Sequence, residues 1–595
     1  MTSTLAPPPV DDRGPNYKWV ALSNTTLGIL MVAINQSILL ISLPDLFRGI
    51  KLNPLAPSNS SYFLWILMGF LLVTAVLVVS FGRVGDMYGR VRMYNLGFAV
   101  FTFFSLALFL TPMNGAGGAL WIIFGRVFQG VGGAFLFANS SAILTDAFPP
   151  DERGKALGIN GVAAVGGSFL GLILGGLLAP TNWRLVFLVS VPIGLFGTVW
   201  AYLKLRDNGV RTPARIDWAG NATFAIGLIG VLTGIVYALN PYGGHTMGWT
   251  SPFVLTCIFA GLAVLVLFVW VETRVAAPMF HLDLFRIRAF AAGNAAALLG
   301  AMGRGGLQFM LIICLQGIWL PQHGYDFSRT PLWAGIAMIP LTVGFLVTGP
   351  ISGFLSDRFG ARPFATGGLL IATASFLLLE LLPMNFSYPW FALLILVFAI
   401  GTGMFFAPNQ AGVMNSLPPD QRGAGAGMLN TFQNSASVLS IGVFFTVLVL
   451  GIASSLPAHI YSGLVANGLS PATARQVSHL PPIGSLFAAF LGFNPIQQLV
   501  SPAAIHALSA HHQAVVTGRS FFPRLFSTPF RNGLHLALDF AAVMSLIAAA
   551  ASWFRGGKYH HTEEESLGEE VGFGLAGVGA AASEEVGAGI PFDES

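Results

Sequence analysis

Charge is scarce in this chain of 595 residues. Only 9% are Asp, Glu, Lys or Arg, where a soluble domain carries about 25%. With 54% of residues hydrophobic, a soluble fold would expose apolar patches large enough to aggregate. A surface facing hydrocarbon has no such difficulty. Cysteine is nearly absent: Cys257 and Cys314 both lie inside apolar runs. They are too few for a disulfide framework or a thiolate metal site, and packing is their expected role. The formal net charge is only +4 and the bases form no stripe, so nucleic acid is not an expected partner. No P-loop pattern occurs, which argues against an ATP-driven pump. No His/Asp/Glu spacing suits a metal or a catalytic constellation, so no enzyme activity, metal or other cofactor is expected. A cleavable signal peptide is not visible. Residues 1–17 are polar and Pro-rich, and the first apolar run is long enough to span a membrane.

In place of charge the chain has long apolar runs. Crossing about 30 Å of hydrocarbon takes about 20 such residues, and fourteen runs qualify. They cover 18–43, 61–81, 93–112, 118–146, 156–179, 185–204, 217–240, 251–271, 289–320, 332–355, 364–383, 387–413, 425–451 and 533–554. The run 289–320 is long enough to be tilted, or broken near Gly303–Gly306. Lys and Arg favour cytoplasmic loops. With the N-terminus inside, most of the 29 bases fall in inner loops and tails, among them Arg83, Arg90, Arg92, Lys204, Arg274 and Arg288. Both termini are then cytoplasmic, and the chain is a multi-pass protein of a plasma or bacterial inner membrane. The segment 452–532 reads as a folded outer loop or hairpin. The acidic, Gly-rich tail from 556 reads as solvated and disordered.

The sequence repeats itself. GRVGDMYGRVR at 82–92 pairs with GFLSDRFGAR at 353–362, matching Gly82 with Gly353, Asp86 with Asp357 and Gly89 with Gly360. FPPDERG at 148–154 pairs in turn with LPPDQRG at 417–423. Two motifs in the same order, on the same side, point to parallel repeats about an axis along the membrane normal. Six spans precede residue 205, six follow residue 289, and two lie between. The expected fold is all-α integral membrane: 14 transmembrane helices as two six-helix bundles, 6+2+6. The expected domains are 1–205, a two-helix insertion at 206–285, and 286–595.

These motifs resemble those of the major facilitator superfamily. The 82–92 segment is similar to its Gly-x3-Asp-x2-Gly-Arg-x-Arg loop. Arg126, Gln129 and Gly130 are similar to its fourth-helix Arg-x2-Gln-Gly motif, and the glycines of 158–176 to the fifth-helix motif of drug exporters. WRLVFLVSVPIG (183–194), Asp217-Trp218-x-Gly220 and Glu272…Pro278…Leu284-Phe285 resemble the 14-helix drug:proton antiporter branch. Three positions depart from it. Asn35 stands where that branch has an Asp, Leu172 follows Gly171 where it has Pro, and Ala361 stands where the first loop copy has Arg90.

The resemblance implies multidrug-type export by proton antiport, with the proton gradient as energy source. A dedicated exporter of one endogenous metabolite or lipid, or an uncoupled carrier, is the alternative. The expected partners are a small-molecule substrate and the bilayer, with the protein a monomer. Glycines let helices approach closely, and an acid beside bases can latch two halves. The resemblance implies gating by Gly82, Asp86, Gly89, Arg90, Arg92, Gly353, Asp357, Gly360 and Arg362, and by Gly171, Gly175 and Gly176. Arg126 and Arg304 fall inside spans, where a charge costs about 2.5–3.5 kcal/mol, so each should face the protein interior. The expected substrate-binding set is Asn35, Gln36, Arg126, Gln129, Arg304, Gln308 and Gln316, polar points in a Phe- and Leu-rich surround. For proton coupling the expectation is Asp539, the acid at clearest membrane depth, which shares a helical face with His535, together with Arg126.

Overall fold

A computed structural model describes residues 16–53, 56, 59–149, 152–207, 216–418 and 421–556, with the side chains of Ser60, Arg153–Lys155, Asp357 and Gly423 excepted. The tail beyond residue 556 and its expected disorder lie outside the described residues. Fourteen helices are long and apolar enough to cross a membrane. The first six are α1 (Tyr17–Gly49), α2 (Ser61–Tyr88), α3 (Arg90–Phe109), α4 (Gly115–Ala147), α5 (Ala156–Leu178) and α6 (Leu185–Lys204). An inserted pair follows, α7 (Trp218–Ala238) and α8 (Pro252–Glu272). The last six are α9 (Arg288–Gln322), α10 (Thr330–Ser356), α11 (Ala361–Glu380), α12 (Tyr388–Asn415), α13 (Ala424–Ala466) and α14 (Phe521–Trp553). Helices are the expected answer in lipid, because each satisfies its own backbone hydrogen bonds.

The expected fourteen runs and the 6+2+6 order hold, and the largest differences in limits are at the outer ends of α13 and α14. Both helices continue past hydrocarbon, to Ala466 and from Phe521, so the segment 452–532 is no separate loop. Between them lie short helices, of which Pro482–Phe490 is buried at every residue. That stretch is apolar on all sides and finds partners on all sides, wedged between the two bundles.

The face carrying the two repeated loops is called inner here. In both copies a glycine at positive φ ends one helix and opens the next: Gly89 (φ 107°) between α2 and α3, and Gly360 (φ 91°) before α11. Such a conformation is strained for any side chain with a Cβ. The break expected in α9 is also present. One helical segment ends at Gly305 and another begins at Leu307, with a single π-turn at Leu315–Trp319 further out. Ser440 of α13 stitches the break, accepting from the Gly306 amide at 2.9 Å and donating to the Met302 carbonyl at 2.6 Å.

The inserted pair α7–α8 is zipped by glycine. A Cβ on Gly261 would lie 2.7 Å from the Val231 amide nitrogen. The pair is anchored at its inner ends by acids. Asp217 caps α7, its Oδ1 accepting from the Gly220 amide at 2.7 Å. Glu272 Oε2 accepts from the Phe280 amide at 2.9 Å. Arg83 of α2 donates to the carbonyls of Ala277 and Pro278, tying the insertion to the first bundle.

Candidate functional site

Inside the first bundle, helices α1, α3, α4 and α6 bring together a polar network at membrane depth. Arg126 donates from Nη1 to Asn35 Oδ1 and, at 2.9 Å, to Gln129 Oε1. Gln129 donates to Ser105 Oγ at 2.8 Å, and Asn35 to Ser190 Oγ at 3.4 Å. The guanidinium also lies over the Phe70 ring, 4.6 Å from its centroid. Arg126, Asn35 and Gln129 are at most 2% exposed. Arg126 faces the interior as its charge demands, and its Nη1 is held by Asn35 and Gln129, which are tied in turn to Ser190 and Ser105. Gln36, the next residue on α1, is only half-buried.

The second bundle holds Arg304 differently. Its side chain lines a cavity with Phe376, Phe398, Phe405, Phe406, Thr402 and Gln433. Among the described residues no acceptor lies within hydrogen-bond distance of its guanidinium, and its ring neighbour is Phe406, 5.7 Å from the centroid. Gln308, one turn further out, is half-buried. Gln316 does not belong to this cavity. It is fully buried on the π-turn, and its Nε2 donates to the carbonyl of Ile41 in the first bundle at 3.2 Å. The sequence reading placed Gln316 on substrate; the structure makes it a tie between the bundles near their outer ends. The tie follows from the π-turn, which no residue pattern announced.

Around that tie the outer side is packed shut. A Cβ on Gly176 of α5 would meet Leu332 Cα of α10 at 2.5 Å, and one on Gly335 would meet the Leu172 carbonyl at 3.2 Å. Gly171 and Gly175 seat α5 against α1, where a Cβ would meet Ser37 Oγ at 2.1 Å and the Ile38 carbonyl at 2.7 Å respectively. The inner half of α5 is different. Gly158, Gly161 and Gly166 face open space, with nothing within 4 Å of a Cβ at any of them. The bundles therefore meet along outer α5 and part along inner α5.

At the inner face Arg90 bridges two acids of its own bundle, Asp86 Oδ1 at 2.7 Å and Asp146 Oδ1 at 2.6 Å. Gly85 lets α2 lie on Asn139 of α4, where a Cβ would sit 1.9 Å from the amide oxygen. Gly82 and Gly353 lie opposite Ala138 and Ala407 in matching positions of the two bundles. Arg92 is exposed. The second copy lacks the bridging arginine, since residue 361 is Ala. Its Arg362 instead covers the Trp553 ring at 4.0 Å. The side chain of Asp357 lies outside those described.

Asp539 requires a correction. It is exposed on the same stripe of α14 as Leu536, Val543, Leu546 and Ile547, a stripe that faces lipid and not the interior. His535, one turn outward, turns away from it to Glu380 at the outer end of α11, at 3.6 Å. A carboxylate missed in the sequence is Asp45. It lies at the outer end of α1, pairs with Arg48 at 2.9 Å, and keeps Oδ2 buried without a partner. Its signal was the Pro-Asp-x2-Arg spacing 44–48.

The Major Facilitator Superfamily model matches residues 25–219 and 216–441, one match for each half. The chain is 27% identical over 478 residues to the riboflavin transporter RibZ of Clostridioides difficile, covering 79% of this chain and 97% of that protein. It is 27% identical to the tetracenomycin C resistance and export protein of Streptomyces glaucescens, covering 90% of this chain and 91% of that one. To the multidrug resistance protein Stp of Mycobacterium tuberculosis it is 28% identical, over 74% and 78% respectively. The fold matches a crystal structure of a bacterial homolog of the human lysosomal transporter Spinster, with TM-score 0.56 and 16% identity over 91% of this chain and 99% of that one.

Proposed function

The chain belongs to the Major Facilitator Superfamily, and from that premise we propose that it is a secondary active transporter of the multidrug-efflux type. It exports small hydrophobic or amphipathic compounds from the cytoplasm by alternating access, using the proton gradient and no cofactor. It resides in the bacterial inner membrane with both termini cytoplasmic. The observation that carries this reading is the asymmetry of α5. Gly176 in its outer half packs on the other bundle, while Gly158, Gly161 and Gly166 in its inner half face open space. Two bundles joined along outer α5 and parted along inner α5, with α2 and α13 still in contact where Val79 meets Gly427, make one of the two states such a cycle needs. The glycine-hinged loops at Gly89 and Gly360, with Asp86, Arg90 and Asp146, form the inner gate. Relatives named for multidrug resistance and for tetracenomycin C export support the efflux reading.

A second reading is a dedicated exporter of one metabolite. The relative named as a riboflavin transporter, matched over 97% of its length, favours it. Purified protein in liposomes loaded with a pH-sensitive dye separates the two. Proton movement on addition of several unrelated hydrophobic compounds supports multidrug antiport. A response to one compound supports the dedicated exporter, flux without proton movement an uncoupled carrier, and silence across the panel overturns the proposal.

A further inference from the structure

Arg304 stands near the midpoint of α9, deep in the hydrocarbon layer. An arginine there stays protonated, so it is not a proton carrier. Its charge is costly at that depth and is normally kept only when paired. Arg126, the other deep arginine, has Asn35 and Gln129 as acceptors. Arg304 has none among the described residues. Two acids of its own bundle are placed elsewhere: Glu380 is engaged by His535, and Asp539 is exposed on the outer stripe of α14. The backbone at the α9 break is not free to help either, because Ser440 takes the Met302 carbonyl and the Gly306 amide. Depth excludes a lipid phosphate as the missing partner.

The surroundings are mostly aromatic and apolar. Phe376, Phe398, Phe405 and Phe406 wall the cavity, and Gln433 adds an amide to its lining. Small residues, Ala297, Gly300 and Ala301, line the α9 side. The internal repeat gives the position a counterpart. The offset that carries Gly82 onto Gly353 carries Ala33 onto Arg304, two residues from the counterpart of Asn35. In the first bundle an arginine on the fourth helix faces Asn35 on the first helix. In the second, an arginine on the first helix faces Phe406 on the fourth. The first guanidinium is held by two side-chain oxygens of the protein; the second has no such partner among the described residues.

We propose that Arg304 is the anion-binding point of the transport site, and that the transported class is amphipathic organic anions: an aromatic or aliphatic body bearing a carboxylate, sulfonate or phenolate. This deepens the transport reading above and rests on it. A bidentate carboxylate satisfies the planar guanidinium, and the phenylalanine walls take the body. Arg304 and Gln433 hold the headgroup; Phe376, Phe398, Phe405 and Phe406 hold the rest.

Three naphthalene probes of one shape and three charges test this: naphthalene-1-acetate, its neutral primary amide, and naphthylmethylammonium. Calorimetric titration of the intact purified protein gives binding, and proteoliposome uptake gives transport. The expected result is that the carboxylate binds at least about tenfold more tightly than the amide, in the range measured for charge-paired contacts, and that the ammonium binds most weakly. Arg304→Gln removes the preference, and its monodisperse elution in detergent at the parent's volume shows that the variant is folded. Arg304→Lys keeps the charge and retains part of the preference. The proposal is overturned by equal binding of carboxylate and amide, by preference for the ammonium, by no saturable carboxylate binding, or by a preference that survives Arg304→Gln. If the probes cross the membrane without regard to charge, the transport reading stands and the anion site falls. If the carboxylate binds through Arg304 but nothing is carried, the site stands and the transport reading falls.

Discussion

Phe63 of the first bundle and Phe487 of the outer wedge stack with ring centroids 3.9 Å apart and 29° between planes. Phe63 also meets Phe309 and Phe445 of the second bundle, at 6.0 and 6.5 Å. One ring of the first half is thus enclosed by rings of the second half and of the segment that joins α13 to α14. The wedge fills the outer cleft between the bundles, where α5 and α10 alone would leave a gap.

If the wedge closes the outer side, removing Phe487 should open it. A Phe→Ala change in a packed core costs about 3–5 kcal/mol, enough to shift a two-state closure. Cys314 is buried on α9, just inside Gly317, which backs onto Phe490 of the wedge. In a Cys257→Ala background, a membrane-impermeant maleimide added outside should leave Cys314 unlabelled in the parent and label it in Phe487→Ala. Equal labelling of both would mean that the wedge is not what seals the cleft.

Gly176 supports a sharper test, because its neighbour is backbone. A Cβ there would approach Leu332 Cα to 2.5 Å, and a helix backbone does not move aside cheaply. Gly176→Leu should hold α5 and α10 apart, abolish transport and expose Cys314 to the same reagent. Gly158→Leu, on the same helix but facing open space, should be far less damaging to binding. Similar effects of the two changes would undo the assignment of outer α5 as a closing surface.

Much of this was legible before any coordinates. Hydropathy and length gave the fourteen spans, because lipid leaves the backbone no alternative to helix. The doubled Gly-x3-Asp-x2-Gly pattern gave the two halves, and both second glycines do adopt positive φ. Helix rotation was harder to read. Asp539 was placed inside by the general rule that intramembrane charge faces protein. The exposure of Asp539 beside Leu536 and Val543 departs from that rule. Gln316 was misplaced because a π-turn swings its amide toward Ile41, a local distortion with no residue signature. The wedge was visible as the apolar string SLFAAFLGF, but an apolar string does not name its partners.

Asn35 serves Arg126, and its removal should show as lost stability. Arg126 Nε is already buried without a partner, and Asn35→Ala takes away one of the two side-chain oxygens that Nη1 reaches. Leaving a buried donor unsatisfied costs about 1–3 kcal/mol. The thermal midpoint in detergent should fall, while the carboxylate-over-amide preference assigned to Arg304 should persist. Loss of that preference in Asn35→Ala at unchanged stability would move the binding site into the first bundle.

The lipid-facing position of Asp539 gives the last expectation. A residue that carries protons between the two faces must reach the interior in at least one state, and must feel the substrate. Asp539 shares its stripe with Leu536, Val543 and Ile547, and its neighbour His535 is held by Glu380. To reach the interior, α14 would have to turn about its axis and break that pair. Asp539→Asn should therefore leave flux driven by an imposed pH gradient unchanged, with at most a small change in stability. A collapse of pH-driven flux alone, with binding intact, would mean that α14 does rotate, and that the Glu380–His535 contact is a feature of one state of the cycle.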